Sequence, residues 1–89
     1  MNNEPKNITD IPQSSSYQEN SKNFNSSKFQ YKCACCGRGL NEPKFFINTI
    51  WGGSMYPAND NNQYNDSWQM PIGNDCIKRI PTEYIIKSN

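Results

Sequence analysis

The chain has 89 residues, of which 34% are apolar and 19% charged, with a net charge of +1. That length excludes more than one domain, and no run approaches the ~20 apolar residues that a membrane span needs. A charge so close to zero singles out no class of partner.

Residues 1–28 hold only Met1, Ile8, Ile11, Tyr17 and Phe24 as apolar side chains, among many Asn, Ser and Gln and the prolines Pro5 and Pro12. So little apolar surface does not offset the entropy of ordering, and the composition predicts a disordered N-terminal tail over 1–28. Its polar start has no apolar stretch of the kind a secretory signal carries. This leads to the expectation of a cytoplasmic protein with reduced thiols, in which the sequons at Asn7, Asn25 and Asn65 are incidental.

Residues 29–89 form the expected domain. Phe29-Gln30-Tyr31-Lys32 alternates aromatic and polar side chains and reads as a short strand. Cys33 to Leu40 reads as a turn, and Phe45 to Trp51, rich in aromatic and β-branched residues, as a strand ended by Gly52-Gly53. Residues 54–66, with Pro57, Asp60 and Asn59, Asn61 and Asn62, read as a long loop. Ser67 to Ile72 reads as a strand weakened by Pro71. Asn74-Asp75 offers a cap and an acidic first turn for a helix over about 75–80, interrupted by Pro81. Thr82 to Ile86 either continues as a further turn or runs extended. The fold class is small α+β: a zinc knuckle, a β-hairpin and a short C-terminal helix. A folded part of roughly 60 residues has a marginal core, for which a metal or a disulfide is the usual remedy.

The four cysteines are Cys33, Cys35, Cys36 and Cys76. Cys33-x-x-Cys36-Gly37-x-x-Leu40 has the form of a zinc knuckle. Two cysteines three apart aim both sulfurs at one ion when the chain turns tightly, and Gly37 supplies the positive φ such a turn uses. Cys76, in the first turn of the expected helix, is the third ligand, where the helix dipole favours a thiolate. A structural Zn2+ takes four ligands, and the chain has no histidine. The fourth position falls to Cys35, to a carboxylate of Asp75, Asp60 or Asp66, to a second protomer or to water. Without metal, the cysteines would be small buried hydrophobes or a disulfide pair. Knuckle, strands and a late ligand at a helix start follow the order of a treble-clef finger. Arg79 and Gly73, three residues either side of Cys76, do not supply that architecture's usual second helix ligand.

From about 31 to 80, three motifs stand in order. They are Lys32-Cys33-Ala34-Cys35-Cys36-Gly37-Arg38-Gly39-Leu40, the strand ending at Gly52-Gly53, and Met70-Pro71-Ile72-Gly73-Asn74-Asp75-Cys76-Ile77-Lys78. The combination resembles small uncharacterised proteins of bacteriophages and mobile elements. In those proteins a histidine often lies on the strand before the Gly-Gly, and the matching position here is Asn48. The resemblance implies an accessory protein that binds a host component, such as an inhibitor of host defence, and it carries no reaction.

Without histidine, no Cys–His or Ser–His dyad exists, and Gly52-Gly53 lacks the lysine and helix of a phosphate loop. The chain therefore reads as a non-enzymatic binding module for a host protein. Trp51, Tyr56, Tyr64 and Trp68 around the long loop are the candidate partner surface. The alternative is a nucleic-acid-binding zinc protein using Lys28, Lys32, Arg38, Lys78 and Arg79, which flank an acidic stretch holding Asp60, Asp66 and Asp75.

Overall fold

Strand β4 (Phe45–Ile50) is the axis on which the chain assembles. The computed structural model describes residues 5–88. Before β4 come β1 (Thr9–Asp10), α1 (Tyr17–Lys22), β2 (Tyr31–Lys32) and β3 (Gly39–Leu40). After it come β5 (Ser54–Tyr56), β6 (Ser67–Ile72), two 3-10 turns at Ile77–Arg79 and Thr82–Tyr84, and β7 (Ile85–Lys87). One antiparallel sheet runs β1-β5-β4-β6, and a separate ribbon joins β2 to β3.

β4 pairs along its whole length with β6, from Phe45↔Ile72 to Ile50↔Ser67. Its other side is shared: β7 takes Phe45–Ile47 and β5 takes Asn48–Ile50. β4 is thus paired on both edges at the centre of the sheet, and its Ile47, Asn48, Thr49 and Ile50 are all buried. Ile47, Met55 and Ile72 have at most 2% of their surface exposed. Each stabilises the fold by about 2 kcal/mol at the usual return on apolar burial. The polar Thr49 is tolerated because its Oγ1 donates to the Trp68 carbonyl at 2.8 Å.

Three expectations are corrected. The N-terminal segment is not a separate tail from Pro5 onward. β1 pairs with β5, the Ile11 amide donates to the Gly53 carbonyl at 3.0 Å, and Ile11, only 6% exposed, joins the core. α1, the only α-helix among the described residues, lies within this segment. A few anchors and backbone hydrogen bonds hold it, which a composition average over 28 residues does not register. Residues 1–4 lie outside the described residues.

The second correction concerns the C-terminal helix. Among the described residues no α-helix follows Cys76; a 3-10 turn at Ile77–Arg79 does, with a second at Thr82–Tyr84. Pro81 disfavours helical backbone in the residue before it, and Ile80 is extended at φ −109°, ψ 127°. Only one turn fits between Cys76 and that break. Third, the expected loop over 54–66 begins with a strand, because Ser54–Tyr56 folds back on β4 through the turn at 51–53. Gly52 takes φ +78° there, and Trp51 takes φ 60°, which is rare for a bulky side chain. β6 keeps its expected bounds despite Pro71 because it lies at the sheet edge, where a missing N–H is cheap.

Gly37 shows how tightly the N-terminal segment is seated. It has φ +78°, and a Cβ there would stand 2.7 Å from the Tyr17 carbonyl oxygen and 3.1 Å from the Ser21 amide nitrogen. Both neighbours are backbone of α1 and do not swing aside. Gly37→Ala is therefore expected to cost about 2–4 kcal/mol, combining left-handed backbone strain with the clash. Chemical denaturation of the variant checks this; a loss below about 0.5 kcal/mol would mean that α1 does not sit on the knuckle.

Candidate metal centre

The β2–β3 ribbon closes the knuckle. The Cys33 amide donates to the Arg38 carbonyl at 2.8 Å and the Gly37 amide to the Cys33 carbonyl at 2.9 Å. Between them the chain reverses, bringing Cys33 and Cys36 to one side. The unit docks on the edge of β6, where the Ala34 amide donates to the Pro71 carbonyl at 3.0 Å. This contact sets the knuckle beside the segment that leaves β6, and that segment delivers Cys76. The Cys76 amide in turn donates to the Gly73 carbonyl at 3.0 Å, turning the chain after the strand.

The sulfurs of Cys33, Cys36 and Cys76 all lie within 4.8 Å of one another. Thiolates about 2.3 Å from a zinc ion stand about 3.8 Å apart along a tetrahedral edge, so a small inward movement suits this trio to such an ion. Cys33 and Cys76 are buried and Cys36 is half-buried. Three soft donors on one spot can hold a metal, and all four cysteines are free thiols.

The electrostatics differ sharply among the thiols. Burial raises the pKa of Cys33, but hydrogen bonds from the backbone of Gly73, Cys36 and Cys35 and from the Cys36 thiol outweigh it, leaving Cys33 below the ordinary thiol value. The Gly73 amide donates to Cys33 Sγ at 3.3 Å. Cys76 is pushed far up, first by burial and then by the charge of Cys33. Burial and the same charge raise Cys35. A metal held here would take Cys76 as a thiolate only by displacing its proton.

None of the other candidate ligands belongs to the close trio. Cys35 is fully buried in the core beside it; its thiol donates to the Pro12 carbonyl at 2.7 Å and also interacts with the Cys76 side chain. Asp75 is exposed and outside the sulfur cluster, although it lines the cavity beside it. Asp60 is engaged elsewhere: it accepts from the Tyr64 hydroxyl at 2.6 Å, and that bond holds its carboxyl below the usual range. Asp66, at φ 63°, is a turn residue before β6. Asn48, at the position of the histidine in the resembled proteins, lies on β4 and donates to the Pro57 carbonyl at 3.3 Å.

The N-terminal segment supplies groups that the sequence reading missed. The Ser14 amide donates to the Cys35 carbonyl at 2.8 Å, and Asn20 Nδ2 donates to the Cys36 carbonyl, also at 2.8 Å. The segment thereby splints the knuckle. No composition signal marks this, because the partners are backbone carbonyls.

The aromatic quartet divides. Tyr56 is buried, 4% exposed, and meets Tyr64 edge-on with ring centroids 5.3 Å apart, so it is a packing residue and not a surface anchor. Trp51 and Trp68 are 55% and 53% exposed at the same end of the sheet. The basic set also divides. Lys32 Nζ is held by Ser21 Oγ at 2.7 Å and lies over the Tyr17 and Phe24 rings, while Lys28 lies over Phe29. Arg38 and Arg79 line one cavity, and Lys78 is exposed.

No family model matches the chain, and no curated protein and no solved structure matches it either. Among the described residues, no helix is long and apolar enough to cross a membrane.

Proposed function

We propose that the chain is a non-enzymatic binding module whose small α+β scaffold is held by zinc at Cys33, Cys36 and Cys76. The observation that carries this reading is the convergence of those sulfurs from two segments 40 residues apart in sequence, within 4.8 Å of one another. A metal there ties the knuckle to the segment leaving β6, as a staple in a chain too short to rely on its core. The order of knuckle, strands and a ligand before a helical turn supports kinship with treble-clef scaffolds.

The partner is a protein, engaged through Trp51 and Trp68. Two tryptophans more than half exposed are unusual, and tryptophan is a favoured interface anchor. Trp51 is also held at φ 60°, and strained backbone of this kind is concentrated at functional sites. The resemblance to phage and mobile-element proteins extends the reading to a host protein in the cytoplasm as the target. Zinc at one per chain, lost together with structure under a thiol-competing chelator, tests the scaffold. Affinity capture from a host lysate, repeated with Trp51→Ala/Trp68→Ala, tests the surface. The double variant is expected to keep its thermal stability within about 1 kcal/mol and to lose binding at least tenfold. Capture that is unchanged by the substitutions would remove the tryptophan surface from this reading.

A further inference from the structure

The three cysteines leave one position of a tetrahedral metal unfilled. Cys36 and Cys76 line a cavity of about 340 Å³ beside the sulfur trio. Its walls come from the knuckle, the segment after β6 and the N-terminal segment. Arg38 and Arg79 line it, as does Asp75. Ser14 lines it too, and Ser14 Oγ is buried without a hydrogen-bond partner. A water molecule occupies only about 30 Å³ of liquid, whereas cavities of roughly 300 Å³ and more are the size that takes small molecules.

The geometry points to a small carboxylate-bearing thiol as an exogenous fourth ligand of the Cys33–Cys36–Cys76 metal; this rests on the metal site proposed above. Its thiol would lose a proton to solvent and bind through sulfur, displacing water and completing the four-thiolate set that structural zinc takes. Its carboxylate would meet the guanidinium groups of Arg38 and Arg79, which also offset the negative charge added to a centre already holding three thiolates. Ser14 Oγ would donate to the same carboxylate and find the partner it lacks. Cys35 is the internal competitor for that position: its thiol donates to the Pro12 carbonyl but also interacts with the Cys76 side chain.

The test uses the full chain, reduced with a phosphine, freed of it and loaded with Co2+. A sulfur-to-cobalt charge-transfer band reports the three-thiolate site; its absence would overturn the metal reading itself. With the band present, 3-mercaptopropionate is expected to intensify it and shift the d–d bands, and to bind about tenfold more tightly than 2-mercaptoethanol, the value of one charge-assisted hydrogen bond. Propionate alone should leave the spectrum unchanged. Arg79→Gln should reduce the preference to less than about threefold without altering the spectrum before thiol is added. If the charge-transfer band is present but neither thiol changes the spectrum, the fourth position is closed and the inference fails. Equal binding of the two thiols removes the carboxylate from it. If Asp75→Asn or Cys35→Ser alone shifts the cobalt spectrum, the fourth ligand is internal and the proposal is also overturned.

Discussion

Cys33→Ser is expected to abolish metal binding and to leave a protein that does not fold stably at 25 °C. Cys33 is fully buried, belongs to the core and accepts the Gly73 amide. Its surroundings also hold its thiol below the ordinary thiol value. Serine offers a hydroxyl, which does not replace a thiolate as a metal ligand and leaves a polar group against an apolar core. Anything that binds the folded state alone stabilises it by mass action, by about 4 kcal/mol when the free metal stands a thousandfold above its Kd. Losing that from a chain with so small a core removes most of its margin. Cys35→Ser is the matched control. It should keep one zinc per chain and lose only about 1–2 kcal/mol, because Cys35 lies outside the close trio and a serine hydroxyl can donate to the Pro12 carbonyl in its place. Elemental analysis and thermal unfolding of the two variants read the difference. Equal zinc content in both would show that the trio is not the site. Acidification should mimic Cys33→Ser reversibly, since protons compete with metal for the thiolates.

Deleting residues 1–28 is expected to destabilise the domain by at least about 3 kcal/mol, where a disordered tail would cost nothing. The deletion removes Ile11 from the core, and truncating a buried isoleucine alone costs about 2–5 kcal/mol. It also strips β5 of its outer strand and leaves the Cys35 and Cys36 carbonyls without the Ser14 and Asn20 donors. For a domain of this size, 3 kcal/mol corresponds to a fall in Tm of roughly 12–24 °C. Calorimetry on the truncated chain decides the matter. An unchanged Tm would return the segment to the status of a tail.

These two expectations mark what the sequence does and does not make legible. The knuckle is readable because its chemistry is local: the cysteine spacing, Gly37 and Leu40 lie within eight residues. β4 and β6 are readable because Phe45–Ile50 and Ser67–Ile72 carry their own strand character. Cys76 converges on the knuckle as its position before a helical turn suggests, but the helix itself is cut short by Pro81 acting on Ile80. The N-terminal segment is opaque for a different reason. Its attachment depends on one isoleucine, a two-residue strand and side-chain amides and hydroxyls bonded to carbonyls far along the chain. Tyr56 misleads because exposure cannot be read from identity: its place in β5 turns it toward Tyr64 and Ser67.

The docking of the knuckle on β6 also bears on solubility. β6 is a six-residue outer strand, the kind of edge on which a second chain can add and begin aggregation. Here Pro71 has no N–H to offer, and its carbonyl is already taken by Ala34. The cysteine unit therefore acts as a cap on the sheet edge as well as a clamp between segments.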